Sequence, residues 1–329
     1  MYREIFLQLE AKNQRFDFNR LIIGFSFFSL GLIKKLLIAD PLHPYVDEIF
    51  MAASFAEKIG MIPAWLGALG YTLQLYFDFS GYCDMALGLG IIFGIYLPFN
   101  FKSPLKASSL GEFWRYWHVT MTRFFTNYVF TPISVRNIRS SANNGYSKMA
   151  TFAFSFAWPI IITFTVAGIW HGSGWNFLVF GLLHGIGLSV QRFWETFNLP
   201  KMLPFIGRGL TVVFFTITLV FFRSSSVTEA VNLLQEMFSF NFITERPAEI
   251  FYYFWLFLSL LIAFAFPNSQ ELFSDYKVSV DAVNYKAPNR FFMLLKWEPT
   301  IVKILILSIL AAIALAYGAN ESPFIYYKF

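Results

Sequence analysis

Gly168-Ile169-Trp170-His171-Gly172-Ser173-Gly174-Trp175-Asn176-Phe177, followed by Leu183-His184-Gly185, places a histidine among glycines and tryptophans between two long apolar runs. An ionisable side chain at membrane depth is costly to keep, which makes it a functional candidate by default. The glycines give the position a reason. A helix entering from residue 149 should break at Gly172 and Gly174, and broken backbone inside a bilayer is tolerated only against protein or a water-filled cavity. His171 is therefore expected to look into a cavity.

The rest of the chain supports a membrane setting. Of 329 residues, 57% are hydrophobic, 21% aromatic and only 14% charged, and apolar runs of about 18 residues recur, as in polytopic helical membrane proteins. The 43 phenylalanines, 9 tryptophans and 16 tyrosines suit lipid-facing surfaces and interfacial belts. A net charge of +5 fits basic cytoplasmic loops better than a nucleic-acid surface, because no basic segment carries a DNA- or RNA-binding pattern. The single cysteine, Cys83, excludes an intrachain disulfide, and His43, His118, His171 and His184 show no metal-ligand spacing, so no metal is expected.

The expected fold class is all-α: one polytopic transmembrane bundle over residues 1–329, with an amphipathic cytoplasmic segment at 100–148. Crossings are expected at 21–38, 149–170, 175–193, 207–222, 249–266 and 300–317, and 61–99 is read as one crossing broken near Ser80. Lys34 and Lys35 either snorkel or face the interior. The loop 40–60 holds Asp40, Asp47, Glu48 and Glu57 against Lys58 and is placed outside; residues 100–148, rich in Lys and Arg with Glu112 the one acid, are placed inside. Asp78 either caps a helix at the Ser80-Gly81 break or serves the site. Gly90 and Gly94 suggest close helix packing. Ser109 and Glu112 have capping-box spacing, opening an amphipathic surface helix from Phe113 to Tyr128 with Arg115 and His118 on its more polar side. Val227 to Phe238 reads as a second short amphipathic helix.

A histidine with a pKa near 6.5 can take a proton from a hydroxyl during acyl transfer and return it to the leaving group. No covalent intermediate is needed if donor and acceptor meet at one point. Ser173 lacks a G-x-S-x-G elbow and is the weaker nucleophile. Trp170, Trp175 and Asn176 either shape the site or simply pack and anchor, and His184 reads as a histidine satisfied by a neighbouring helix. A helix over 149–170 is about 33 Å long at 1.5 Å per residue, so His118 and His171 need not touch and could mark opposite mouths of one passage.

These stretches, with Gly31-Leu32-Ile33-Lys34-Lys35 through Asp40, Tyr76-Phe77-Asp78-Phe79-Ser80-Gly81-Tyr82, Glu112-Phe113-Trp114-Arg115-Tyr116-Trp117-His118, Gly181-Leu182-Leu183-His184-Gly185 and the ending Pro323 to Phe329, resemble the membrane-bound O-acyltransferases, most closely the alginate O-acetyltransferase branch. The resemblance implies a multi-helix fold around a central tunnel, with His171 catalytic and His118 a second important residue; Asp78, Trp170, Asn176 and Arg115 are the candidates for supporting or tunnel-lining places. It implies no bound cofactor. An acyl-thioester, acetyl-CoA or an acyl carrier, would be the donor, and the acceptor an extracytoplasmic polysaccharide or acetyltransferase partner beyond the inner membrane. Family members carry several more helices before the segment that begins here near Phe16, so a truncated remnant, or a non-catalytic scaffold for polymer export, is the competing expectation.

Overall fold

The computed structural model describes residues 2–10, 17–242, 246, 248–281 and 290–318; the carboxyl-terminal Pro323 to Phe329 stretch lies outside the described residues. Among them the fold is all-α. In chain order the helices are α1 (Tyr2–Glu10), α2 (Phe18–Ile33), α3 (His43–Ser54), α4 (Met61–Ile92), α5 (Leu110–Tyr116), α6 (Val119–Phe125), α7 (Thr131–Asn143), α8 (Lys148–Phe152), α9 (Trp158–His171), α10 (Trp175–Thr196), α11 (Pro204–Arg223), α12 (Val227–Met237), α13 (Ile250–Ala265), α14 (Ser269–Leu272) and α15 (Ile301–Tyr317). Four stretches among the described residues are long and apolar enough to cross a membrane: Phe18–Ser54, Lys148–His171, Trp175–Thr196 and Pro204–Arg223. α13 and α15 are shorter apolar helices, and α4 is not among the four.

The chain divides into two compact units. The first comprises residues 1–43, 73–103 and 250–328. In it, α2 and the second half of α4 touch backbone to backbone. A Cβ on Gly24 would lie 2.6 Å from the Gly88 carbonyl, and one on Gly31 would lie 2.5 Å from that of Gly81. The expected Gly90 and Gly94 pairing is therefore corrected. Gly90 instead packs against the Ile95 carbonyl, and Gly94 ends the helix with a positive φ of 73°.

α4 runs unbroken through Ser80, which overturns the expected break and the capping role for Asp78. The two aspartates that look like breakers are neutralised by α2 and the π-turn after it. Lys34 Nζ lies 2.5 Å from Asp84 Oδ2; Lys35 Nζ lies 2.9 Å from Asp78 Oδ1 and 2.6 Å from Asp40 Oδ1. Lys35 and Asp78 are almost fully buried, so the lysines face the interior. Burying charges is tolerable only with partners at this distance. Phe27, Leu87, Ile91, Phe273, Val278 and Trp297 form the apolar core beside this network.

The second unit comprises residues 44–72 and 104–249. Residues 40–60 are largely helical, not the expected loop, and the acids of that segment are paired: Asp47 with Arg223, Glu48 and Glu57 with Arg246. α12 forms where the amphipathic pattern places it. Its Glu236 accepts hydrogen bonds from the backbone N–H groups of Ile59 and Gly60.

α9 and α10 make a close hairpin. A Cβ on Gly168 would sit 2.4 Å from the Phe177 carbonyl, and one on Gly181 would sit 2.3 Å from that of Phe164. Gly172 and Gly174 in the turn are required for space. A Cβ at Gly172 would strike the Phe177 ring at 2.4 Å, and one at Gly174 would strike Asn176 Oδ1 at 2.1 Å.

Candidate functional site

His171 is the last residue of α9, placed there because the Gly172-Ser173-Gly174 turn ends the helix. The residue is 9% exposed and its ring lies in an aromatic cage, with ring centroids 4.9 Å from Trp170, 5.1 Å from Phe222 and 6.3 Å from Phe180. Asn176 builds this cage indirectly. Its Nδ2 donates to the carbonyls of Phe221 (3.2 Å) and Ser224 (2.8 Å), tying the end of α11 to the start of α10 and so fixing Phe222. Trp170 and Trp175 are exposed, and Trp170 still presents an edge to His171.

His118 does not lie on the polar face of a continuous helix. The amphipathic segment breaks between α5 and α6, Trp117 being extended and His118 left-handed at φ 43°, ψ 54°. The 3.6-residue pattern persists across the break, which hides it. A non-glycine residue in this region carries strain of about 1–3 kcal/mol, and such strain collects at functional positions. α5 begins with Ser109 accepting from the Glu112 N–H, while Glu112 reaches back one residue further than a capping box requires, to Ser108 N and Oγ.

The two histidines lie near enough for the charge of one to act on the other. Burial depresses the basicity of His118, and the nearby His171 charge adds to it, bringing its pKa down to about 3. α6 also meets the end of α9 directly, with Phe125 and Trp170 ring centroids 6.1 Å apart.

A cavity of about 320 Å³ opens in the same unit, lined by Ser109, Glu112, Arg115, Thr126, Ile160, Thr163, Phe164, Gln191, Arg192 and Glu195 among others. A second chamber of about 20 Å³ shares Thr126, Thr163 and Phe164 with it and adds Met121, Thr122, Phe125 and Ala167. Ile160, Thr163, Phe164 and Ala167 fall at helical steps on one face of α9, and the next residue of that series is His171. The lining of the two voids stops at Ala167, one turn short of His171, and neither histidine lines either void. Arg115 lines the large cavity. Gln191, Arg192 and Glu195 were missed, since at the end of an apolar helix they read as a solvated terminus.

The other candidates fall elsewhere. Asp78 belongs to the first unit, ion-paired with Lys35. His184 is fully buried with both nitrogens occupied: Trp114 Nε1 donates to Nδ1 at 3.3 Å, and Nε2 is 2.9 Å from Thr218 Oγ1, which itself donates to the Phe215 carbonyl. An indole N–H only donates, so Nδ1 accepts and Nε2 carries the proton. This neutral ring is a clamp between α5, α10 and α11.

These features define a polytopic helical membrane protein with two neighbouring buried histidines where α6 meets the end of α9. A family model described as MBOAT, membrane-bound O-acyltransferase family, matches residues 2–158, and the chain belongs to that family. It is 37% identical over 247 residues to the peptidoglycan O-acetyltransferase of Helicobacter pylori, covering 73% of this chain and 43% of the relative. It is 28% identical to the probable alginate O-acetylase AlgI of Pseudomonas putida over 97% of this chain and 64% of the relative. A teichoic acid D-alanyltransferase of Bacillus subtilis is 27% identical over 61% of this chain and 49% of the relative. The chain thus spans between two-fifths and two-thirds of the length of these relatives.

Proposed function

We propose that the protein is an O-acyltransferase of the inner (plasma) membrane, passing an acetyl group from a cytoplasmic thioester to hydroxyls of an exported, alginate-like polysaccharide, with His171 as general base. The observation that carries this reading is the His171 imidazole, buried at the Gly172-Ser173-Gly174 break with His118 nearby, one turn beyond the voids that line α9 as far as Ala167. A thioester arriving at the larger cavity meets Arg115 and Arg192, the latter paired with Glu195 at 3.2 Å, and guanidinium groups suit an anionic donor such as acetyl-CoA or a phosphopantetheine-bearing carrier. The excess of Lys and Arg in residues 100–148 supports a cytoplasmic rim.

The chemistry needs only an acid–base group. His171 accepts the proton of the acceptor hydroxyl as its oxygen attacks the thioester carbonyl. The tetrahedral intermediate collapses with cleavage of the C–S bond, and the imidazolium returns the proton to the departing thiolate. Ester and thiol are the products, with no net proton change. His118, kept neutral by its surroundings, would hold an acyl or hydroxyl oxygen beside His171 and work with it as the second catalytic histidine. The acceptor is either the polysaccharide itself or an extracytoplasmic acetyltransferase that relays the group.

The test is His171→Ala in membranes from producing cells supplied with radiolabelled acetyl thioester. Alkali-labile label should fall at least about 100-fold, in line with loss of general-base catalysis, while the protein accumulates normally. Unchanged label would refute the role.

A further inference from the structure

Resting on the reading of His171 as general base, we propose that His184 is a positioning residue for acyl transfer: by holding the Trp114 indole it sets where His118 stands relative to His171. His118 needs such an anchor. α5, the helix that delivers it, has seven residues and ends in extended Trp117, and helices shorter than about 12 residues are marginal on their own. The left-handed backbone of His118 persists only where its surroundings over-determine it.

The clamp lies one turn from the site on the elements it joins. Trp114 stands four residues before His118, and its indole meets His184 of α10 edge-on at 5.0 Å and Phe164 of α9 at 4.9 Å. Phe180, one turn before His184, lies 4.6 Å from its ring, 6.3 Å from His171 and 5.1 Å from Phe222. Thr218, which takes the other nitrogen of His184, lies one turn before Phe222 on α11. The hydrogen bonds run in one direction, from the Trp114 N–H to Nδ1, from Nε2–H to Thr218 Oγ1 and from the threonine hydroxyl to the Phe215 carbonyl. A neutral imidazole supplies the acceptor and the donor in one rigid ring. An apolar side chain of similar size would fill the space and leave the buried indole N–H without an acceptor.

The two amide substitutions separate the two nitrogens. The Asn side chain places its amide where Nδ1 stands and can still accept from Trp114, whereas that of Gln reaches the place of Nε2 and keeps Thr218 alone. Acetyl transfer is measured in membranes supplied with increasing radiolabelled acetyl thioester, per folded molecule as judged by size-exclusion and melting temperature. Trp114→Phe and His184→Gln should each lower kcat at least about 10-fold with KM within about two-fold of wild type, since a misplacement of about 1 Å can cost about 100-fold. His184→Asn should recover most of that loss, and the double variant Trp114→Phe with His184→Gln should lose no more than either alone, because both remove one bond. An Asn variant as impaired as the Gln variant, a loss that vanishes per folded molecule, or a raised KM at unchanged kcat overturns the clamp while leaving His171-dependent transfer standing. Absence of transfer by wild type, or transfer that survives His171→Ala, overturns both.

Discussion

At the scale of single residues, His118 combines a left-handed backbone with a ring in an environment that refuses its proton. Its folded pKa of about 3 lies below the ordinary 6.5, so between those values the unfolded chain binds a proton that the folded chain does not. Stability therefore rises with pH across that window and is lost as pH falls through it. The melting temperature of the detergent-solubilised protein should drop between pH 7 and pH 4, and His118→Gln should make the drop shallower. An identical slope in the variant would show that His118 is not the titrating group. The place of His171 at a helix end was legible because glycines follow it. The conformation of His118 was not, since nothing in a regular apolar period announces one residue that leaves the helix.

At the scale of elements, helix contacts here are set by where two backbones can approach. Gly24 with Gly88 and Gly31 with Gly81 are matched pairs at heptad spacing on two helices, and each fills the space in which the other would carry a side chain. Gly88→Val should therefore lower the melting temperature markedly, the Cβ falling 2.5 Å from the Gly24 carbonyl. In contrast, Gly209→Ala in α11 meets nothing within 4 Å and should be neutral or stabilising by up to about 1 kcal/mol through helix propensity. Equal effects of the two substitutions would sink the packing account. The same close approach explains what the sequence hid in α4. Asp78 and Asp84 look like helix breakers in isolation, yet their partners are Lys34 and Lys35, more than forty residues earlier, and local pattern carries no sign of that pairing. The Gly90 and Gly94 spacing misled for a related reason. A motif shows that backbones could approach, whereas the partner helix decides which glycines are used.

At the scale of the whole molecule, the expected crossings at 149–170, 175–193 and 207–222 correspond to Lys148–His171, Trp175–Thr196 and Pro204–Arg223, because long apolar runs between turn residues leave little choice in a bilayer. The basic 100–148 segment supplies Arg115 to the cavity rim, and in residues 40–60 Asp47 is matched by Arg223, Glu48 and Glu57 by Arg246, and Asp40 by Lys35. A cavity rim assembled from residues 109–115 and 191–195 is a product of tertiary packing that neither stretch reveals alone. The central claim is that an acyl group enters at that rim and leaves as an ester formed at His171. Sealed inverted membrane vesicles, with radiolabelled acetyl thioester outside and an impermeant esterase added afterwards, test it most directly. The account expects esterase-resistant ester label inside the vesicles, absent with His171→Ala; label that the external esterase removes, or that survives the substitution, would contradict it.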